Sequence, residues 1–593
     1  MIVAMKKVFL LLQKEHVAQG LDKLASLGVL HVEHQKLPAG PELNEVNDKL
    51  NIIEQALIIL SAGAEGKKQH LSFQEFADPL ITAQHIIDLQ KRFDHLKEYS
   101  VTLRGLIDQW ASWGNFDPQQ ITQLSGKNVY VKLYKIPQKQ LQNLPPGVTV
   151  KIIFSEGSML NCAVFSYGDF SLSFQEVELP KTSLLWMQQR LSEDARIMLN
   201  LKDQLQQQLC YNSALIAEKN VLIDQKDFYE VLKGMGQAEQ LFHVKGYIPA
   251  DTEKMLITEA KKNGWGIFTC LPLDVDAVPT LVRNPAWISF IKPLLKLLEL
   301  VPGYNEIDIS PLFIVFFSLF FGMLIGDAGY GLIYLLLNFW AHKKFGAKIK
   351  DKSAFFLFYI LSFCAIIWGI LTATFFGQEW LLRLGIKPLV PALGSVVFIQ
   401  ALCFFIGAVH LSLAHGWRAV LKAPALIALA EVGWICVIWA VFFLAKNLIL
   451  GDVFPGFANW LIITGLVLVL FFTSPQKNIL KTIGEGLGTI ALSLVNNFTD
   501  VVSYIRLFAV GLAGVAIADA FNAMAAGVFK KGDILTIIAA ALIVIFGHAL
   551  NIILGPMSIL VHGVRLNVLE FCSHISVTWS GFNYKPFSKN NIK

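Results

Sequence analysis

Along this chain the apolar positions change rhythm twice. Residues 2–12 alternate as a strand does, 14–27 show helical spacing, and VLHVEH at 29–34 predicts a second strand. From there the spacing becomes that of a coiled-coil seam. Leu43, Val46, Leu50, Ile53, Leu57 and Leu60 recur at alternating intervals of three and four. GAEGKK at 63–68 ends that run, and a return seam follows with Ile86, Leu89, Phe93, Leu96, Leu103, Ile107 and Trp110, interrupted at Ser100. Two seams joined by a polar turn predict an antiparallel helical hairpin over about 41–113, although a plain pair of bundle helices would read similarly. NVYVKLY, VTVKIIF, NCAVFSY and FQEVELP then predict strands. A helix is expected over about 183–232, with Leu184, Leu191, Met198 and Leu205 seven apart. QLFHVKGYIP, a helix to about 263 and GWGIFTCLP complete the half. Residues 1–300 therefore predict small α/β lobes at about 1–40, 120–180 and 239–275 on coiled-coil arms, an elongated rod of the sort that holds partners apart or transmits force.

Beyond residue 305 the apolar runs approach the roughly 20 residues needed to cross a bilayer. Eight spans are predicted, at about 311–326, 328–342, 354–376, 394–416, 424–445, 456–473, 485–528 and 534–576. The first two are short and flank GDAGYG. The last two exceed a perpendicular crossing and must tilt, bend or run beyond the bilayer. The expected fold is an α-helical polytopic membrane domain at 305–580, preceded by a cytoplasmic α+β and coiled-coil arm and followed by a tail at 581–593.

Composition agrees with this division. Of 593 residues, 54% are hydrophobic and 16% charged, against roughly 25% charged in soluble globular proteins. A net charge of +5, with no stretch both basic and aromatic, excludes a nucleic-acid partner. The cysteines, Cys162, Cys210, Cys270, Cys364, Cys403, Cys436 and Cys572, form no CxxC, so a reducing compartment without disulfides or a zinc site is expected. MIVAMKKVFLLLQKEH lacks the longer apolar core and small-residue cleavage site of a signal peptide. No Walker A pattern, nucleophile elbow or HExxH occurs, so no cofactor, metal or nucleotide site is expected.

Loop charge predicts orientation. AHKKFGAKIKDK carries five lysines. Arg418 and Lys422, Lys477 and Lys481, and Lys585, Lys589 and Lys593 fall on the same side of an eight-span topology. The opposite loops hold Arg383 and Lys387, Lys446, and Lys530 and Lys531. The more basic side, with both termini and the N-terminal half, is expected in the cytoplasm.

The candidate chemistry lies in the last two spans. Arg506 interrupts an apolar stretch, and Arg565 interrupts the next. An arginine at a helix centre costs about 3 kcal/mol on translocon scales, so it normally faces a polar cavity or a partner charge. At 100° per residue, Thr499 and Ser503 share a side with Arg506, and the Ala- and Gly-rich segment 509–518 offers a smooth face to a partner helix. Asn551, Ser558 and His562 fall on the side of Arg565, a polar stripe of the kind a hydrated proton path requires. Glu431, Glu485, Asp500 and Asp519 are candidate half-channel groups. Gly326, Asp327 and Gly329 suit a capped turn between spans 1 and 2. His410 and His415, five apart, share no face and read as hydrogen-bonded structural histidines.

These stretches carry a resemblance. KVFLLLQKEHVAQGLDKLASLGVLHVE, PTLVRNPAWISFIKPLLKLLELVPGYNEIDISPLF, FFGMLIGDAGYGLIY, SYIRLFAVGLAG and HGVRLNVLEF with GFNYKPF, in this order, resemble subunit I (subunit a in eukaryotes) of the rotary V/A-type ATPases. The resemblance implies a bacterial inner-membrane stator subunit beside a ring of proteolipid subunits with buried carboxylates. It implies two offset half-channels, with Arg506 and Arg565 facing the ring and driving proton or sodium exchange. It further implies peripheral-stalk coiled-coil subunits and a central-stalk subunit as partners, and ATP hydrolysis or synthesis elsewhere in the complex. Family members often have an acid ten residues before the second arginine, where this chain has Gly555, and a histidine eight after the first, where it has Gly514. His562 does match the eukaryotic pattern. Two other classes remain. A secondary transporter with a regulatory rod would show an inverted repeat, and a purely structural anchor would have no use for arginines at depth.

Overall fold

The computed structural model describes residues 1–63, 78–238, 240–347, 349, 351–377, 388–473, 479–529 and 533–589, apart from the side chains at 142, 143, 156, 479–482, 485, 486 and 489. The expected hairpin turn beyond Gly63, and the loop positions Lys348, Lys350, Arg383, Lys387, Lys477, Lys530, Lys531 and Lys593, lie outside the described residues. The chain divides into two compact units. One comprises Met1–Val8, Tyr247–Thr258 and Thr269–Lys585, the other Phe9–Gly246, Glu259–Phe268 and Pro586–Lys593.

The strands among the described residues are β1 (Met5–Gln13), β2 (His31–Glu33), β3 (Val129–Pro137), β4 (Val148–Glu156), β5 (Met159–Tyr167), β6 (Gln175–Val177), β7 (Gly236–Ala238), β8 (Leu241–Pro249) and β9 (Gly266–Cys270). They form one sheet of order β2-β8-β1-β9, with β7 on β8, and one of order β4-β5-β3-β6. In the second sheet β3 pairs antiparallel with β5, Leu133 opposite Ala163 and Tyr134 opposite Cys162. Strand periodicity sends these pairs to opposite faces. Leu133 and Ala163 pack on Trp110, Trp113 and Met187, while Tyr134 and Cys162 pack on Ile136, Leu160 and Val164. Both faces are covered, which explains the nearly continuous apolar run in NCAVF.

The two seams form the helices Pro41–Gly63 and Pro79–Ala111. Asp78 caps the second, its carboxylate accepting from Leu80 N at 2.8 Å, with Pro79 in the first turn. Val46, Leu50, Ile53 and Leu60 meet Ala83 and Ile86 as the hairpin requires. The helix expected over 183–232 is instead two, Leu184–Gln207 and Asn212–Gly234, separated by a 3₁₀ turn at Gln208–Tyr211. The break lets each half follow a different seam. Met187 and Leu191 pack against Leu103 and Trp110, and Leu215 and Leu222 join Val46 and Ile53. A turn without glycine or proline leaves no mark on a seven-residue repeat.

In the other unit, Ser353–Thr372, Val396–Lys422, Ile427–Leu450 and two composite helices, Ile490–Phe529 and Ile534–Ile575, are long and apolar enough to cross a membrane. Ser310–Ile325 and Gly456–Phe472 are shorter apolar helices, and Ala328–Phe345 completes the set. The expected long span 7 is interrupted at Tyr504, between Ile479–Ser503 and Ile505–Phe529. Span 8 contains Pro556 and passes through π-helical turns at Ile559–Gly563 and Leu566–Phe571. The helices Ile427–Leu450 and Gly456–Phe472 touch backbone to backbone. A Cβ on Gly433 would sit 2.9 Å from the Gly465 oxygen, and one on Gly465 would sit 2.9 Å from the Gly433 oxygen.

The tail GFNYKPF folds back on the stretch that leads into the first span. Thr280 N donates to Phe582 O, Tyr584 N donates to Thr280 O, and Gly581 N donates to Val301 O. Glu306 locks this return by accepting from Gly303 N at 2.6 Å, Thr578 N at 2.8 Å and Thr578 Oγ1 at 2.6 Å. Burial pushes its carboxyl up, but these donors outweigh burial and hold it below the usual 4.5.

Two outcomes follow. Gly465→Val forces those helices apart, costs about 1–3 kcal/mol and lowers the thermal midpoint in detergent; an unchanged midpoint would count against the contact. A carboxyl depressed by folding contributes stability above its unfolded value and loses it as pH falls. Amide-exchange protection of Thr578 should therefore drop below about pH 4.5, and Glu306→Gln should flatten that dependence.

Candidate functional site

Arg506 begins the second part of span 7, just after the break. Tyr504, at the break, is fully buried, and its hydroxyl bonds His410 Nδ1 at 2.8 Å. His410 is stacked between Phe316 and Phe571, at centroid distances of 3.9 and 4.2 Å. Gly407 makes room, since a Cβ there would lie 2.7 Å from the Tyr504 ring. The break is thus held against the helix Val396–Lys422, and it fixes where Arg506 projects. His410 is structural, as its sequence setting suggests.

Arg506 and Arg565 converge on one acid that helical periodicity misses. Arg506 Nη1 lies 3.6 Å, and Arg565 Nε 3.4 Å, from Glu570 Oε1. The Glu570 side chain is 5% exposed, against 22% for Arg506 and 53% for Arg565. A buried carboxylate thus backs two guanidiniums that reach the surface of this chain. Both distances exceed the 2.7–2.9 Å of a charge-assisted hydrogen bond. Arg506 Nη1 and Glu570 Oε2 are buried without a hydrogen-bond partner among the described residues. In an α-helix, residues five apart point about 140° away from each other. The i→i+5 turn at Leu566–Phe571 brings Glu570 back towards Arg565. The only sequence signal was an acid in an apolar segment five residues after an arginine.

The other candidates separate. His562 lies within range of the charges of both guanidiniums. Ser503 and Ser558 are half-buried on the two spans. Thr499 is exposed and bonds its own helix at Val495 O. It precedes the break at Tyr504, so the uniform helical projection that aligned it with Arg506 does not hold. Asn551 turns inward, donating to Gly514 O at 2.8 Å and to Tyr330 Oη at 3.1 Å. Tyr330 Oη also bonds His548 Nδ1 at 2.7 Å, and His548 Nε2 bonds Asn522 Oδ1 at 3.1 Å. This polar cluster occupies the region of Gly514 and Gly555. A Cβ at Gly555 would meet Tyr334 Oη at 2.7 Å, and one at Gly514 would meet Asn551 Oδ1 at 3.7 Å. Tyr334 therefore leaves no room for a side chain at Gly555, whereas a Cβ at Gly514 would make only ordinary contact with Asn551.

Asp327 is fully buried. Its carboxylate caps the helix Ala328–Phe345, accepting from Tyr330 N at 3.1 Å, and ties Gly377 N at 2.9 Å. Gly326 ends the preceding helix at φ +65°, and Gly329 leaves room for the Phe376 ring, 2.7 Å from where a Cβ would be. Asp519 is exposed on Ile505–Phe529. The side chain of Glu485 lies outside the described residues.

Glu431 and Asp500 terminate a second network, which includes His415. Glu431 Oε1 accepts from Lys422 Nζ at 2.6 Å and pairs with Arg418 Nη2 at 3.1 Å. Its Oε2 lies 2.7 Å from His415 Nδ1. His415 Nε2 lies 2.9 Å from His574 Nδ1, and His574 Nε2 lies 2.9 Å from Asp500 Oδ2. Arg418 Nη1 donates to His574 O at 2.9 Å. These groups border a cavity of about 250 Å³ lined from spans 4 to 8, span 6 contributing Thr473 at its end. Sequence spacing separated His415 from Glu431, because their pairing is made across helices.

The chain is 32% identical to the V-type ATP synthase subunit I of Borreliella burgdorferi, over 99% of this chain and 100% of that one. It belongs to the V/A-type ATP synthase subunit I family. It is 28% identical to the V-type ATP synthase subunit I 1 of Treponema pallidum, over 99% of this chain and 100% of that one. It is 27% identical to the A-type ATP synthase subunit I of Methanocaldococcus jannaschii, over 64% of this chain and 60% of that one. No protein-family model matches. Among solved structures, it is similar to the cytoplasmic N-terminal domain of subunit I, homolog of subunit a, of V-ATPase. That likeness covers 45% of this chain and 100% of that one at 13% identity, but its TM-score of 0.23 is too low to bear on the fold. Family membership makes the chain a membrane-embedded subunit of a rotary ATPase assembly.

Glu431, itself buried, pairs with both Arg418 and Lys422. Removing one partner of a buried ion pair costs about 3–5 kcal/mol. Glu431→Leu should lower the thermal midpoint of the detergent-solubilised protein far more than Asp519→Leu on the exposed helix face; equal effects would contradict the network.

Proposed function

We propose that this chain is the ion-translocating stator subunit of its rotary ATPase, with Arg506 and Arg565 facing a ring of small subunits that each carry a membrane carboxylate. The observation that carries this is the charge count at the site. Two guanidiniums share Glu570, which leaves one positive charge unneutralised at a surface in the membrane half. A second carboxylate, brought by a partner, would complete the site. At about 4 Å and an effective dielectric of about 20, such a pair attracts by about 4 kcal/mol. That favours the ionised form by roughly a thousandfold, so a passing acid gives up its cation there. Guanidiniums stay charged throughout, and they would also block a direct leak between the two half-channels.

The helix face beyond Arg506 supports the same partner. Ala509, Ala513, Ala516, Ala520, Ala523 and Gly527 follow at alternating intervals of four and three, and all are exposed. A stripe this smooth lets another helix pass closely without interlocking side chains. His562, Ser558, Asn551, Ser503 and Thr499 would assist near the pair, with Glu431, Asp500, Glu485 and Asp519 as half-channel groups. The N-terminal half serves as the stator arm on peripheral-stalk coiled coils, near the central stalk. The basic loops favour a bacterial inner-membrane protein with both termini in the cytoplasm. The ion is a proton or sodium, coupled to ATP hydrolysis or synthesis in other subunits.

Arg506→Ala in the reconstituted complex should abolish ATP-driven ion pumping while the subunits still copurify, and Arg565→Ala should be milder. Near-normal pumping by Arg506→Ala would refute this function.

A further inference from the structure

A cavity of about 1000 Å³ lies where the chain enters its apolar half. Its walls come from the approach to span 1, from the starts of the helices Ser310–Ile325 and Ser353–Thr372, and from the tail. Both helices are apolar from their first turns, which puts the cavity at the level of the bilayer surface. Leu295, Ile309, Ala354, Trp579 and Phe582 give it an apolar lining. Val315 and Phe358, about one and a half turns along the same two helices, are 54% and 47% exposed and continue that apolar surface into the membrane.

The polar groups of the lining are few and of both signs. Lys292 and Lys296 stand four apart on the helix Lys292–Leu297, hence on one face. Both are exposed and lie within reach of the Asp351 charge, without forming an ion pair among the described residues. Asp351 accepts from Ser353 N at 2.9 Å. A carboxylate has about four acceptor sites, so capacity remains there for an ammonium. Glu299 adds a second exposed carboxylate, whereas Asp308 is already paired with the amino terminus at 2.7 Å. Thr280, only 3% exposed, also lines the cavity, and its hydroxyl has no hydrogen-bond partner among the described residues. Burying an unpaired hydroxyl is unfavourable, and a guest that brings an oxygen relieves it.

We propose that this cavity holds the headgroup of a phospholipid that carries a primary ammonium. The phosphate sits on Lys292 and Lys296, the ammonium on Asp351, and an ester oxygen accepts from Thr280. Lysine binds phosphate as a point charge. A purely anionic lipid would meet the opposing charges of Asp351 and Glu299, and a quaternary ammonium has no hydrogen to donate to Asp351. A soluble phosphate has nothing to place on the apolar walls, which an acyl chain covers. The bound lipid ties the tail, already returned to Thr280 and Val301, to the bilayer surface. This site is independent of the ion-translocating function proposed above.

The test uses the full chain in a neutral detergent, mixed with equal amounts of phosphatidylethanolamine, phosphatidylglycerol and phosphatidylcholine, with retained lipid counted by native mass spectrometry. One phosphatidylethanolamine per chain should be kept at least tenfold better than either other lipid, and neither inorganic phosphate nor phosphoethanolamine should displace it. Lys292→Gln combined with Lys296→Gln should weaken retention about thirtyfold, roughly fivefold for each lysine. Asp351→Asn should abolish the preference over phosphatidylglycerol, and Thr280→Val, equal in shape, should weaken retention severalfold. Lys343→Gln combined with Lys344→Gln, in the basic segment outside the cavity, should change nothing. Equal retention of the three lipids, a preference for phosphatidylglycerol, or displacement by either soluble phosphate overturns the proposal, and these are read on the wild-type chain whether or not a variant folds. An equal loss in the variant at Lys343 and Lys344 also overturns it, because the binding would then belong to the basic surface at large.

Discussion

One carboxylate shared by two guanidiniums leaves a charge of +1 in a slab of low dielectric, and much of the membrane unit is arranged around holding it there. Glu570 is buried behind Arg506 and Arg565. To bring the three together, the chain gives up regular helix twice. It breaks at Tyr504 and it widens at Leu566–Phe571. Neither irregularity floats free. The break is held by the His410 bond and the space left at Gly407, and the widened turn presents Phe571 to the same histidine ring. An irregularity that costs backbone hydrogen bonding in an apolar medium persists only when its surroundings over-determine it.

This explains what could be read from the sequence. The seams at Leu43–Leu60 and Ile86–Trp110 were legible because burial imposes a period on a regular element, and the strands of the second sheet because short apolar runs end at turn residues. The spans were legible because apolar length suffices to reveal them. The arginines stood out by their cost. What stayed hidden were changes of register, namely the turn at Gln208–Tyr211, the break at Tyr504 and the π turns of span 8. Each redirects side chains without altering composition. Glu570 was overlooked because uniform 100° steps place it away from Arg565. The partners of His415, Glu431 and His574, are 16 and 159 positions away, and one sequence carries no record of such pairings. At Gly555 the Tyr334 hydroxyl takes up the space a side chain would need, 2.7 Å from where a Cβ would be.

The two polar systems of the unit differ in a way that suits different work. Along Glu431, His415, His574 and Asp500 each contact lies at 2.7–2.9 Å, within ordinary hydrogen-bond range. At the arginine pair the contacts are longer, and two polar atoms lack a hydrogen-bond partner among the described residues. A closed network holds its own geometry. An incompletely satisfied one retains affinity for something else.

On the proposed function, that incompleteness must also be limited, because a passing carboxylate has to leave as well as arrive. Without Glu570 the site would carry +2, and at about 4 Å with an effective dielectric of about 20 it would hold the carboxylate by about 8 kcal/mol rather than about 4. Release would then be slower by roughly another thousandfold, and rotation would stall at each step. Glu570 takes up part of the attraction of both arginines from behind, and its long, loose contacts with them keep the grip on the visitor moderate. On that function, the buried acid that helical periodicity hid would be what lets two arginines act as a checkpoint instead of a trap.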